Sequence, residues 1–452
     1  MRPQVESLLD TIAALATPIG RAALAVLRVS GNDTGRVLSA VVRGAPEPLP
    51  PRRPLLASLV DSSGKTIDRG LVTFFPAPAS ATGQDVGELS VHGNPVVVQS
   101  LLCALVAAGA RLARPGEFTE RAFLFGKIDL VEAEAIGDLI EARTETAARF
   151  STRRLEGKLS ARLAQVRETL LETAARLTAT IDFVEDVGES LSPETISSLS
   201  GVVEELDLLV ATYETGRLLS AGCRVAILGP PNAGKSTLFN ALVGSERAIV
   251  TEIPGTTRDT LEATIDVDGV PVEVIDTAGL REAEDVVERI GVERAHRASQ
   301  EADAVIYVFD AGQGWSRADA DAVSQLNVKP VVIVANKADT LASGMSPSRG
   351  TPVCGLSPQA GRTLRGLLAE TIAGKQRTDS DGDVLGSLRQ RDLAARARAS
   401  AGDAIASISR GESPEYAATH VAAALDSLAD LVGETTSEDV LKRIFSRFCI
   451  GK

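Results

Sequence analysis

The chain has 452 residues, enough for about three domains at ~100–200 residues each. Hydrophobic residues make up 44%, charged residues 24% and aromatics 3%, which excludes disordered, collagenous and mucin-like chains and fits an ordinary soluble globular protein. The formal net charge is −13 with no polycationic stretch, so binding nucleic acid through a broad basic surface is excluded, and any such contact must be a local patch or be shared with a partner.

Four cysteines, Cys103, Cys223, Cys354 and Cys449, lie far apart with no CxxC pair and three histidines to accompany them, which argues against a disulfide framework or a zinc site. The apolar run Ile12 to Ala16 is too short for a signal peptide, and Pro95 to Ala110, interrupted by Gln99 and Ser100, falls short of the ~20 residues of a membrane helix. A cytoplasmic protein without membrane contact is predicted.

In chain order, the first part (1–126) carries short β-prone runs, among them Ala23 to Val29, Leu71 to Phe75 and Leu89 to Val91, between Gly, Pro and Asp punctuation. Five prolines between Arg43 and Pro54 predict a loop, because proline lacks the ladder donor. This part reads as an α+β module. From 127 to 220 the period changes: Leu155, Leu159, Leu163, Val166 and Leu170 share one helical face, as in a helical bundle. From 221 to 375 buried strands alternate with helical segments, at Arg224 to Leu228, Val272 to Ile275, Ala304 to Phe309 and Val331 to Ala335. That alternation predicts a parallel sheet with helices on both faces. After a linker at Asp379 to Gly386, residues 376–452 read as helical again. The architecture expected is multidomain: an α+β N-terminal domain, then an α-helical domain interrupted by an inserted α/β P-loop domain.

Gly229-Pro-Pro-Asn-Ala-Gly-Lys-Ser236 follows a predicted strand and opens a helix, the setting that turns GxxxxGK[ST] into a phosphate-binding loop. Backbone N–H groups from Asn232, Ala233, Gly234, Lys235, Ser236 and Thr237 would cradle phosphates, Lys235 would reach the β/γ oxygens, and Ser236 would ligate Mg²⁺. Asp276-Thr-Ala-Gly279 ends a second buried strand, so Asp276 can approach the Mg²⁺ and the Gly279 amide the γ-phosphate. Asn336-Lys337-Ala-Asp339 ends another, where Asp339 can accept the paired N–H donors that guanine has and adenine lacks. GTP is therefore preferred to ATP. Thr256-Thr-Arg-Asp259 is the expected switch I segment, with Thr256 or Thr257 completing the Mg²⁺ shell. The residue after Gly279 is Leu280, whose side chain cannot orient water, so another group must do so.

Three blocks carry a resemblance to a known family: Asp276-Thr-Ala-Gly-Leu-Arg-Glu-Ala283 with Val287-Glu-Arg-Ile-Gly291, Arg114-Pro-Gly-Glu-Phe-Thr-Glu-Arg-Ala-Phe123, and the terminal Phe448-Cys-Ile-Gly-Lys452. Over essentially the whole chain the sequence resembles the tRNA modification GTPase MnmE (TrmE) family. The resemblance implies a homodimeric, potassium-dependent GTPase. With a flavin-dependent partner, in a heterotetramer, it installs an aminomethyl or carboxymethylaminomethyl group on C5 of wobble uridine in tRNA. It also implies a reduced folate, 5-formyl- or methylene-tetrahydrofolate, on the N-terminal domain. Carried over by position, Asn232 meets K⁺, Glu288 positions the hydrolytic water, and Lys235 and Cys449 join it as catalytic candidates. The metal positions implied are Asn232, Ser236, Thr251, Ile253, Thr256, Thr257 and Asp276. Gly355 and Leu356 match the segment capping the guanine, and Arg28, Glu88, Lys127 and Lys452 the folate positions. The sequence departs from the family pattern at Gln84 and at Asn94. A regulatory GTPase in ribosome assembly or signalling is the competing expectation, against which the ends of the chain speak.

Overall fold

The computed structural model describes residues 10–182, 193–244, 248–249, 261–276, 300–326, 329–342, 345–373 and 384–452. The chain divides into two compact units, one of residues 1–137, 160–202 and 396–452, the other of residues 138–159 and 203–395.

The first unit is built on a seven-stranded sheet whose strands are β1 (Ile12–Leu15), β2 (Leu24–Ser30), β3 (Val42–Arg43), β4 (Leu55–Val60), β5 (Thr66–Phe75), β6 (Val86–His92) and β7 (Arg111–Leu112). They lie in the order β3-β4-β5-β6-β2-β1-β7, antiparallel except for the β1/β7 pair. Alternation decides the faces. Leu27, Val29, Leu89, Val91, Val72 and Leu59 point to one side and close a core with Val37 and Leu38 of helix Thr34–Val41 and Leu101 and Leu105 of helix Pro95–Ala107. The second of these helices begins where Asn94 accepts a hydrogen bond from Val96 N ahead of Pro95 at the first helical position, an N-cap with the preferred chemistry. Asn94 thus has a structural use. On the opposite face, Ile12 and Ala14 of β1 pack with Ala113 and Phe118, the latter from helix Glu117–Leu124. Helix Glu438–Phe445 adds Leu441 and Phe445 to a cluster with Phe123, Leu130 and Ala133.

The expected leucine stripe spans two helices. Helix Glu145–Leu155 ends with Leu155, Gly157 takes φ 74, and helix Lys158–Asp182 resumes with Leu159, Leu163, Val166 and Leu170 buried. A left-handed glycine is a helix stop, and periodicity alone passes over it.

In the second unit the sheet has the order β14-β13-β12-β8-β11-β10-β9, with β8 (Cys223–Leu228), β9 (Ala248–Ile249), β10 (Leu261–Val267), β11 (Val270–Asp276), β12 (Ala304–Asp310), β13 (Val331–Asn336) and β14 (Thr351–Pro352). Five strands from β14 to β11 are parallel, while β10 and β9 are antiparallel additions. The four strands expected to run parallel, β8, β11, β12 and β13, do so; the antiparallel β10 and β9 were not foreseen, and the cause is local. Asp268 (φ 51) and Gly269 (φ 90) form a two-residue turn between β10 and β11, and a pair of positive-φ residues matches the twist of a tight hairpin. Val225, Ile227, Val274, Ile306, Val308 and Val334 fill the core with Leu238 and Leu242 of helix Lys235–Val243 and Leu364 and Leu368 of helix Ala360–Ala373. The inserted sheet is entered and left side by side: Thr212 Oγ1 accepts from Leu385 N at 3.2 Å, and a Cβ on Gly216 would stand 2.1 Å from Leu385 O.

Candidate functional site: a nucleotide loop and a clasped N-terminal face

The central strand β8 delivers the chain into Gly229–Gly234, and helix Lys235–Val243 starts immediately after. Gly229 (φ 144), Asn232 (φ 61) and Gly234 (φ 89) bend this loop. A Cβ on Gly229 would lie 1.9 Å from Val308 O and one on Gly234 would lie 2.2 Å from Asn336 Nδ2, so both positions require glycine on space as well as on backbone angle. The helix starts with no side-chain cap on its first turn, so its positive end faces the loop, the physical requirement for holding phosphate. Lys235 Nζ donates to Gly229 O at 2.9 Å and Pro230 O at 2.8 Å, which bends its ammonium back over the loop. Ser236 and Thr237 are half-buried in the first helical turn.

Asn336, 2% exposed at the end of β13, joins the loop to the segment that carries Gly355 and Leu356. Its Nδ2 donates to Ala233 O at 2.8 Å and its Oδ1 accepts from Gly355 N at 3.0 Å. A Cβ on Gly355 would also meet Thr237 Cγ2 at 3.2 Å, so Thr237 and Gly355 are neighbours. Asp339 sits exposed on the turn Ala338–Thr340, and Leu356 is 84% exposed. Asp276 ends β11, fully buried, beside Ile227. Lys337 takes φ 59 and its Nζ donates to Asp310 Oδ2 at 2.8 Å. The hydrogen bond from Lys337, with those from Gly312 N and Gln313 N, holds the Asp310 carboxyl below its ordinary value. Asp310 was not among the sequence expectations; its signal was an acidic residue ending the strand next to Asn336, with which it is in register. Thr251, Ile253, Thr256, Thr257, Gly279 and Glu288 lie outside the described residues.

In the first unit, Arg28 and Glu88 are directly opposed on β2 and β6. Arg28 Nη2 and Nε both donate to Glu88 Oε1, at 2.8 and 3.1 Å, and the guanidinium lies 5.8 Å from the Phe118 ring centroid. The two residues, both among the expected folate positions, are paired with each other. Phe118 N donates to Lys452 O at 3.1 Å and Gly116 N to Cys449 O at 3.4 Å. Gly451 (φ 95) packs so tightly that a Cβ would stand 2.3 Å from Leu15 O. The terminal tetrapeptide is thereby brought to the face that carries Arg28, with Cys449 exposed. Lys127 Nζ donates to Pro78 O at 3.2 Å, and its stem lies against Gly83.

Behind that face runs a charge network that motif reading missed. The fully buried Arg121 donates to Asp10 O, Asp10 Oδ1, Gln84 Oε1 and Glu117 Oε1 at 2.8, 2.6, 2.9 and 3.1 Å, and Arg111 makes a two-pronged bond to Glu117 at 2.6 and 2.9 Å. Burial pushes the Glu117 carboxyl up, but the Arg111 bonds, the Arg114 N–H and the Arg121 charge outweigh it and hold it at about 2. Gln84 is a neutral acceptor within this network.

A glycine-built loop between the central strand and a helix, tied by a buried asparagine to the segment after β14, defines a P-loop GTPase domain. A family model for the MnmE helical domain matches residues 130–449, and one described as the GTP-binding protein TrmE N-terminus matches residues 11–127. The tRNA modification GTPase MnmE of Laribacter hongkongensis is 44% identical over 98% of this chain and 99% of its own. Those of Roseiflexus castenholzii and Aquifex aeolicus are 42% and 40% identical, each over 98% of this chain and 99% and 100% of their own. The chain belongs to the MnmE family of tRNA modification GTPases. Among the described residues no helix is long and apolar enough to cross a membrane.

Proposed function

We propose that this protein binds GTP, hydrolyses it to GDP and phosphate with K⁺ as an activating cation, and couples that cycle to tRNA modification. With a flavin-dependent partner the product is an aminomethyl or carboxymethylaminomethyl group on C5 of wobble uridine, made by a cytoplasmic homodimer. The observation that carries the GTPase reading is the Asn336 junction, whose two bonds tie the phosphate loop to the base-capping segment. In this reading Ser236 and Asp276 hold Mg²⁺, which offsets phosphate charge. Asn232 belongs to the K⁺ shell, Thr256 or Thr257 completes the Mg²⁺ shell, Thr251 and Ile253 are further metal positions, and Gly279 senses the γ-phosphate. Asp339 accepts from guanine while Lys337 flanks it, and the Gly355 and Leu356 segment closes over the base.

Glu288 holds the attacking water in place of a switch II glutamine, since Leu280 cannot. On the first unit, Arg28, Glu88, Lys127 and Lys452 form the folate site. The donors and acceptors suit a ligand with carboxylates at one end and ring N–H groups at the other, and Cys449 stands exposed beside them. Nucleoside analysis of tRNA from cells lacking the protein tests the chemistry: the wobble C5 modification should disappear, and its persistence would refute the modification reading. Hydrolysis measured in KCl against NaCl tests the cation, with equal rates counting against Asn232 as a K⁺ ligand. Glu288→Ala should stop turnover while GTP still binds.

A further inference from the structure

We propose that Asp310 is a positioning residue for guanine recognition: it anchors Lys337 and so holds in place the turn that presents Asp339. This rests on the GTP-binding reading above and goes one residue beyond the three nucleotide motifs.

Lys337 stands between two motif residues in the left-handed region, at φ 59. A non-glycine side chain there is strained, and the strain persists only where the surroundings hold it. Three tethers do so. Asp310 Oδ2 accepts from Lys337 Nζ at 2.8 Å, Lys337 O accepts from Thr340 Oγ1 at 2.7 Å and from Thr340 N at 3.0 Å, and Ala338 N donates to Val353 O at 3.1 Å. The Asp310 carboxylate is 14% exposed and the lysine 39%, so the pair is partly shielded from water and ions.

Asp310 also shapes the partner surface of that turn. Its Oδ1 accepts from Gly312 N at 2.9 Å, and Gly312 is placed so that a Cβ would meet Thr340 Oγ1 at 3.0 Å. One carboxylate therefore fastens the end of β12 to Lys337 and shapes the Gly312 segment that lies close to Thr340. Asp339 lies inside that turn, exposed and facing solvent. A carboxylate that must accept two parallel N–H groups is sensitive to small displacements, because both bonds weaken steeply with angle. Loosening the anchor should cost guanine recognition more than phosphate binding.

The test uses the full-length protein, with release of GDP and IDP followed for the wild type, Asp310→Asn, Lys337→Met and the double variant. IDP lacks the exocyclic amino group, so it reports phosphate binding with one base contact fewer. Asp310→Asn is expected to weaken GDP binding on the order of ten-fold, mainly through faster release, with IDP much less affected and kcat at saturating GTP unchanged. The double variant should lose no more than Lys337→Met alone, because both act through one contact. Wild-type GDP affinity in Asp310→Asn, equal losses for GDP and IDP, or strictly multiplicative losses in the double variant would each overturn the proposal. Should Asp310→Asn fail to fold by circular dichroism, Lys337→Met decides alone: it keeps the stem and drops the ammonium, and unchanged GDP release would refute the anchor. A wild-type protein that binds neither nucleotide would instead refute the GTP reading itself.

Discussion

Gly234 concentrates the constraints of the phosphate loop in one residue, with φ 89 and Asn336 Nδ2 2.2 Å from any added Cβ. Gly234→Ala must either strain the backbone or push Asn336 off Ala233 O. With ~3 kcal/mol of strain and lost contact, nucleotide affinity should fall roughly 100-fold, read by equilibrium titration with GDP; near-normal binding would show that the loop relaxes without cost. Glu117 makes a different kind of prediction. Its folded carboxyl is held at about 2 against an ordinary value of 4.5. A depressed acid stabilises the fold above its unfolded pKa, and that stabilisation drains away as pH falls from about 4.5 toward 2. Glu117→Gln should lower the thermal midpoint at pH 7 and flatten the acid-side decline, by about 3 kcal/mol at most. A variant whose midpoint tracks the wild type from pH 7 to pH 3 would show that the carboxylate contributes nothing. The bend of the Gly229 to Gly234 loop at the end of β8 and the place of Asn336 at the end of β13 were legible in the sequence, because a GxxxxGK[ST] match between a strand and a helix admits few other conformations. Arg121 and Asp310 were not, because Asp10, Gln84 and Lys337 lie far from them in sequence and only the fold brings them together; Glu117 was not either, although Arg111, Arg114 and Arg121 all lie within six residues of it, because only the fold buries its carboxylate among them.

At the scale of elements, strand positions were largely readable, since β-branched apolar runs in β8, β11, β12 and β13 have few other uses. Their parallel direction was readable too, but the antiparallel additions β10 and β9 were not. β10 is less uniformly apolar, and the Asp268-Gly269 pair that sends the chain back was the available signal. Gly269 has a second duty: Thr144 Oγ1 donates to its carbonyl at 2.7 Å, and a Cβ there would lie 2.4 Å from Thr146 Oγ1. Gly269→Ala should therefore destabilise the second unit by about 1–3 kcal/mol. Thermal unfolding followed by circular dichroism checks this, and an unshifted midpoint would mean that the hairpin turn and Thr146 give way freely. The break at Gly157 teaches the same lesson, since hydrophobic spacing counts residues and is blind to one backbone angle.

For the molecule as a whole, domain order followed from shifts in sequence period, and membership of the MnmE family follows from matches that span both ends. The two units each own a core, so damage in one should be separable from activity in the other. Removing Cys449 to Lys452 takes away the bonds to Gly116 and Phe118, which lie within the first unit. The truncated protein should bind GDP within about two-fold of wild type while the first unit melts earlier; a large loss of GDP affinity would mean that the units are energetically coupled. The meeting of Gly451 with Leu15 also sets a timetable. At ~5–20 residues per second on the ribosome, Leu15 waits about 20–90 s for its neighbour to be synthesised. The first sheet to leave the exit tunnel is among the last to acquire its full set of contacts, and during that interval the incomplete face is one that chaperones and proteases can survey.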